Sequence, residues 1–177
     1  MAAIPKPAST VVLLDENERV YMTKRPETMK FLGGHYVFPG GALEQNDKLI
    51  DNDFIINQKQ NNSFHPSYYV AAARELYEEI GVLLCNRLDE TKLQIDKEKN
   101  LRYRRQLLNG ELSFIDLLKQ EQLYFNVSSL TYFGNFVTPE KSPIRFDTRF
   151  FLAYLPEGQK PNPDAYEIEE GLWITPE

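Results

Sequence analysis

Three features of this sequence predict a layered domain of α/β (α+β) class. The chain starts with two β-type runs in "TVVLLDENERVYMTKR", joined by the turn-forming Asp15-Glu16-Asn17-Glu18, which is a hairpin signal. An amphipathic helix is written in "AAARELYEEIGV", residues 71–82, and strand-like runs follow near 131–138 and 145–155. Strands and helices mixed in this way bury their apolar faces as stacked layers.

Each element has its own local warrant. "HYVFPGG", residues 35–41, is an aromatic and β-branched run that breaks at Pro39-Gly40-Gly41. "NDFIINQKQNNSF", residues 52–64, is rich in Asn and Gln and reads as a partly mobile surface loop. Phe54, Ile55 and Ile56 would pin it to the body, and a lid over substrate is the alternative. In the main helix Tyr69, Ala72, Ala73, Leu76 and Ile80 recur at helical spacing; Ser67 is the expected N-cap, and Gly81 stands where a left-handed stop belongs. Two shorter helices are expected at about 98–109 and 112–121. In "EEGLWITPE" the last three residues, Thr175-Pro176-Glu177, read as a cap and first turn, which predicts a truncated final helix. Without an internal repeat or a clear linker, residues 1–177 read as one domain.

Composition narrows the function classes. With 177 residues, 42% hydrophobic and 26% charged, the chain suits a single core. A net charge of −6 argues against a general nucleic-acid binder. The one locally basic stretch, "KEKNLRYRR" at 97–105, reads as a solvated helix face rather than a base-stacking surface around Tyr103. No apolar run approaches the roughly 18 residues of a membrane span, and "MAAIPKPAST" lacks the features of a secretory signal. Cys85 is alone, which excludes an internal disulfide and fits a reducing compartment; after "VLL" it reads as a buried small hydrophobe. The expectation is a cytoplasmic protein whose partner is a small molecule, neither nucleic acid nor membrane, with a homodimer left open.

The chemistry-bearing feature is Glu75, Glu78 and Glu79 on one helical face, where like charges at such spacings cost roughly 0.2–0.5 kcal/mol per pair. Arg74, four residues before Glu78, also reaches back towards the preceding loop, yet one cation cannot neutralise three carboxylates. A divalent metal is the natural missing partner, and hard cations such as magnesium (or manganese) prefer oxygen ligands. The Gly40-Gly41 turn upstream lets backbone approach a ligand closely.

"GGALEQND" followed by "RELYEEIGV" resembles the Nudix box, G-x5-E-x7-R-E-U-x-E-E-x-G-U with U aliphatic. Gly41 matches the opening glycine, and Arg74, Glu75, Leu76, Glu78, Glu79, Gly81 and Val82 match the closing half. Asp47 stands in place of the first glutamate, and residues 48–73 fill a spacing where the pattern has seven. An insertion here, at about 48–66, is similar to that of the peroxisomal coenzyme A diphosphatase (RP2-like) type. "MTKRPETMKFLGGHYVFPGG", "EEIGVLL" and "TPEKSPIRFDTRFFLAYLP" resemble the same type, so the likeness runs from about Thr10 to Pro176. Against the fuller coenzyme A signature, Pro26 replaces a serine and no arginine lies between Arg25 and Gly33.

The resemblance implies a Nudix α/β/α sandwich around a mixed β-sheet and magnesium-dependent cleavage of a diphosphate bond, with coenzyme A or an acyl-CoA as leading substrate. ADP-ribose or NADH is the alternative within the enzyme class, and a catalytically silent nucleotide-binding module the alternative outside it. Glu75, Glu78 and Glu79 would hold metal, with a Gly40 or Gly41 carbonyl and Asp47 completing the set. Arg74 would orient a glutamate. Glu75 or Glu79 would serve as general base, with Glu140 an outside candidate. Arg25, Arg145 and Arg149 are candidate phosphate contacts because guanidinium binds phosphate oxygens at two points. In "IRFDTRF" strand alternation puts Arg145, Asp147 and Arg149 on one face and Phe146, Thr148 and Phe150 on the other. Phe38, with Tyr36 and Phe136, would stack on a base, whereas His35 and His65 lack metal-ligand spacing.

Overall fold

The computed structural model describes residues 3–57, 64–89, 93 and 95–176. Its frame is a mixed sheet built on β1 (Lys6–Leu14), which pairs in parallel with β9 (Phe146–Tyr154) along its whole length, from Lys6 opposite Phe146 to Leu14 opposite Tyr154. The other edge of β1 is shared. Ala8, Ser9 and Thr10 pair with β4 (Gly40–Ala42), and Leu14 opens the predicted hairpin to β2 (Val20–Lys24). β3 (Tyr36–Val37) joins β2, and β8 (Thr131–Val137) pairs antiparallel with the far edge of β9.

Sequence reasoning missed the short strands of a second sheet and, in the main sheet, β10 (Glu170–Ile174), antiparallel to β2. The Thr175-Pro176 signal points towards a helix start, but Trp173 and Ile174 are good strand formers. Tyr21 on β2 packs edge-on against Trp173 at 5.0 Å.

Helix α1 (Ser67–Ile80) packs its apolar stripe on β1 and β4, with Ala72, Ala73, Leu76 and Ile80 fully buried. Its start corrects the expected cap. Ser67 is already helical and buried, and its N–H donates to His65 Nδ1 at 3.2 Å, so a histidine side chain satisfies an amide that has no partner within the helix. Its end is as expected: Gly81 adopts φ 70° and its N–H donates to the Tyr77 carbonyl.

Helices α2 (Lys97–Leu108) and α3 (Phe114–Glu121) fall within a residue or two of the expected bounds, because both carry strong caps. Asp96 accepts from the Glu98 and Lys99 amides, and Ser113 accepts from the Asp116 amide. The buried side of α2 departs from the solvated face expected of 97–105. Tyr103, Arg104 and Leu107 are all buried, and Tyr103 donates to Glu121 of α3 at 2.5 Å.

The described part of the insertion is pinned as expected. Phe54 stacks on Tyr124 at 5.5 Å, and β5 (Ile55–Ile56) joins a second, small sheet with β7 (Tyr124–Asn126) and β6 (Cys85–Asn86). Residues 58–63, most of the Asn/Gln tract, lie outside the described residues. Cys85 is buried in the core, and burial pushes its thiol well above the ordinary value, so it packs as a hydrophobe. No helix among the described residues is long and apolar enough to cross a membrane.

Candidate active site

The site is assembled where α1 passes behind β4. A side chain at Gly41 would put its Cβ 2.5 Å from Glu75 Oε1, and one at Gly40 would collide with the Ser9 carbonyl and with Thr10. Gly40 is thus required by the close approach of the β1 backbone, whereas a side chain at Gly41 would have to displace the Glu75 carboxylate. The Gly40 N–H uses this proximity and donates to Glu79 Oε2 at 3.1 Å.

Arg74 is buried and its fork is fully engaged. Nε and Nη2 donate to the two Asp47 oxygens at 2.8 and 3.0 Å, and Nη2 also reaches the Ala42 carbonyl at 3.0 Å. Nη1 lies 2.7 Å from Glu78 Oε2 and 3.0 Å from Glu75 Oε1. Arg74 therefore orients glutamates and ties the loop after β4 to the helix. This geometry corrects the reading of Asp47 as an outer metal ligand. It is a buried counter-ion, with Oδ1 and Oδ2 both committed to Arg74 and Oδ2 also accepting the Glu44 amide.

Glu75 and Glu79 face a cleft of about 800 Å³, whose lining also includes Gly40, Gly41, Arg25 and Glu167. Much of the remaining lining is apolar, including Met22, Met29, Phe31, Phe136, Phe146 and Phe150. Phe31 packs edge-on against Phe146 at 4.9 Å.

Charge at the acidic end is unbalanced. Burial raises the carboxyl of Glu75 to about 7, against the favourable field of Arg74, and that of Glu78 to about 8 despite its ion pair. Burial, together with Glu75 and Glu167, pushes Glu79 well above the ordinary range, and burial raises Glu167 too. Glu78 Oε1 is buried with no hydrogen-bond partner. As the side chains stand, no three acidic, histidine or cysteine groups among the described residues are gathered tightly enough to grip an ion. Arg74 holds Glu78 and one oxygen of Glu75. The donor set nevertheless suits a hard divalent cation: Glu75, Glu79 and Glu167 bring carboxylate oxygens to a cleft whose described lining offers one guanidinium, Arg25, and next to Glu79 on α1 the Glu78 carboxylate keeps a buried oxygen without a partner.

The sequence pattern of the NUDT19 Nudix domain family matches residues 50–177. The chain belongs to the NUDT19 Nudix domain family. It is 30% identical to nudix hydrolase 7 of Caenorhabditis elegans, over 96% of this chain and 50% of that protein. It is 27% identical to the acyl-coenzyme A diphosphatase NUDT19 of Xenopus laevis, over 89% of this chain and 52% of that one. The chain spans about half the length of these curated relatives. Among solved structures, a NUDIX hydrolase from Alicyclobacillus acidocaldarius superposes with a TM-score of 0.80 at 29% identity, covering 97% of this chain and 79% of that one. The mixed-sheet α/β fold is the Nudix fold.

Within this Nudix domain the predicted substrate contacts divide. Arg25 and Phe38 line the cleft, as do Tyr36 and Phe136. Arg145 and Arg149 do not. Arg145 donates to the Thr138 and Ala3 carbonyls, fastening the turn before β9 to the N-terminal segment. Arg149 pairs with Asp147 and lies over the rings of Phe64 and Tyr68, at 5.6 and 5.1 Å. The alternation along β9 is as expected, but the face that meets the cleft is the one with Phe146, Thr148 and Phe150. Glu140 is exposed on the turn between β8 and β9 and lines none of the cleft. The described residues of the insertion line none of it either, and the lid alternative for residues 52–64 falls largely on 58–63, outside the described residues.

Two residues that sequence reasoning left aside belong to the site or its support. Glu167 reaches the cleft from a segment far from the motif in sequence. Arg104 of α2 donates through Nε to the Glu78 carbonyl and through Nη2 to the Glu79 carbonyl, both at 2.9 Å. It thereby satisfies the end of α1 that carries the acids. No local pattern marked either one, since both act through contacts across the fold.

Proposed function

We propose that this Nudix domain hydrolyses a diphosphate bond in a nucleotide-linked substrate with a divalent cation, magnesium or manganese, and that coenzyme A or an acyl-CoA is the leading substrate. The observation that carries the reading is one cleft whose lining combines buried, mutually repelling carboxylates with an aromatic and methionine wall. The acidic end would repel a diphosphate unless cations reversed its sign. The wall suits the apolar arm of an acyl-CoA, the substrate class named for the Xenopus relative.

In this reading Glu75 and Glu79 hold the cation, with Glu78 and the Gly41 carbonyl supporting them. The bound cation would offset phosphate charge and lower the pKa of a coordinated water. Arg74 fixes the direction of Glu75 and Glu78, Asp47 fixes Arg74, and Arg25 neutralises phosphate at the mouth. The apolar wall excludes bulk water from the reacting centre, which strengthens each of these charge interactions.

The test is a chromatographic product assay with magnesium on coenzyme A, an acyl-CoA, ADP-ribose and NADH. Adenosine 3′,5′-bisphosphate from the coenzyme A compounds is the expected product. AMP from ADP-ribose or NADH alone would keep the chemistry and discard the coenzyme A assignment.

A further inference from the structure

Helix α1 borders a second cavity. Tyr77 lies two residues from both Glu75 and Glu79, about 200° around the helix from each, and so faces away from the cleft. It lines a cavity of about 620 Å³ between the end of α1, the start of α2 and residues 158–160. Among the described residues, this cavity and the cleft share no lining side chain.

Two polar atoms in the lining are buried without a hydrogen-bond partner among the described residues, the Tyr77 hydroxyl and Asn100 Oδ1. Tyr77 is wholly buried, and burial pushes its phenol above the ordinary value, so the oxygen keeps its proton and can donate. Asn100 Oδ1 can only accept. Buried polar atoms are rarely left unpaired, because the hydrogen bonds they give up to water must be replaced. The other polar groups of the lining are differently placed. Gln159 Oε1 accepts the Leu83 amide and Gln159 Nε2 donates to the Leu83 carbonyl, each at 2.8 Å. Asp96 and Lys160 are exposed and opposite in charge, so no buried charge in the lining calls for an ion. Leu83, Leu93 and Ile95 supply apolar surface. What remains to be matched is one donor and one acceptor in a partly apolar cavity.

We propose that this cavity is a second ligand site and that it takes a neutral amide carrying an apolar body. The amide carbonyl accepts from the Tyr77 O–H, and the amide N–H donates to Asn100 Oδ1, so one group completes both atoms. An ester or a carboxylate completes only the Tyr77 side. The volume falls within the range of small-molecule sites, roughly 300–1,000 Å³. The site stands apart from the diphosphatase reading of the cleft.

The experiment titrates the full chain with benzamide, followed by proton–nitrogen correlation NMR, with methyl benzoate and benzoate as comparison probes. The expected result is a dissociation constant on the order of 1 mM for so small a probe, with the shifts centred on the Tyr77, Gly81, Leu83 and Asn100 amides. Methyl benzoate and benzoate are expected to bind at least about fivefold more weakly, and so is benzamide to Tyr77→Phe and to Asn100→Ala, as befits one lost neutral hydrogen bond. Tyr77→Phe removes only an unpaired hydroxyl, and a melting midpoint at or above that of the wild type separates its effect on binding from a loss of folding. Four results would each overturn the proposal. Shifts centred on Gly40 and Gly41 would put the amide in the cleft. Equal affinity for methyl benzoate would defeat the amide class, and unchanged benzamide affinity in both variants would defeat the assigned contacts. No shift with any probe at several times the expected constant would mean that water alone completes the two atoms.

Discussion

Arg74 and Asp47 are joined by two hydrogen bonds, Nε to Oδ1 at 2.8 Å and Nη2 to Oδ2 at 3.0 Å, with both side chains almost wholly buried. The pair links residues 27 apart in sequence and closes the loop after β4 onto α1. Removing one partner of such a pair leaves a buried charge without its counter-ion. Asp47→Asn is expected to lower stability by about 3 kcal/mol, near the lower end for broken buried pairs. Denaturant unfolding would measure this, and a loss under about 1 kcal/mol would place the pair with ordinary exposed salt bridges.

Gly41→Ala tests the close approach at the site. Its Cβ would meet the Glu75 carboxylate, and a displacement of about 1 Å there is expected to cost about a hundredfold in turnover. Gly134→Ala is the control, because a Cβ added at that position meets nothing within 4 Å. Steady-state kinetics on both variants would decide; equal activity would mean that Glu75 yields without consequence.

The pH dependence of the metal-free protein follows from the raised carboxyls. Glu75 at about 7 and Glu78 at about 8 keep protons in the folded state that the unfolded chain gives up near the ordinary value of 4.5. Between those values the folded state binds more protons than the unfolded state, so this contribution to stability falls as pH rises. It is fully present below about 4.5 and lost above about 8. Calorimetry without metal should show the melting midpoint falling across this window, with added Mg2+ or Mn2+ raising it most at the alkaline end. A midpoint that climbs steadily through the same window would contradict the buried, uncompensated placement of these acids.

Arg25 and Arg149 separate substrate contact from structural support. Arg25 lines the cleft, whereas Arg149 is paired with Asp147 and stacked over Phe64 and Tyr68. Arg25→Ala is expected to raise KM about tenfold, the equivalent of roughly 1.4 kcal/mol of lost phosphate binding. Arg149→Ala should leave KM within about twofold, since its partners lie on the other face of the strand. The reverse pattern would put the phosphates on that other face.

What the sequence made legible were features with a local period or cap. The hairpin, the stripe of α1, its Gly81 stop and the two short helices are specified by residues a few positions apart, and the structure agrees with them. The Arg74-Glu75-Glu78-Glu79 cluster was legible for the same reason, because helical spacing alone puts it on one face. β10 was not, since a five-residue strand with Thr-Pro after it offers a competing helix signal and is decided by pairing with β2. Arg145 and Arg149 were misplaced because alternation sorts side chains into two faces without saying which face meets the cleft. Glu167 and Arg104 reach the site or its helix only through tertiary contacts. The place of Asp47 in the motif suggests a metal ligand, whereas its burial beside Arg74 decides its role.

The most direct test of the central claim is product formation from an acyl-CoA by wild type and Glu79→Gln, each with Mg2+ and with a chelator. The account predicts adenosine 3′,5′-bisphosphate from the wild type with Mg2+, none with chelator, and a loss of at least about a hundredfold in Glu79→Gln at an unchanged melting midpoint. Wild-type levels of product from Glu79→Gln would contradict the assignment of the chemistry to this cleft.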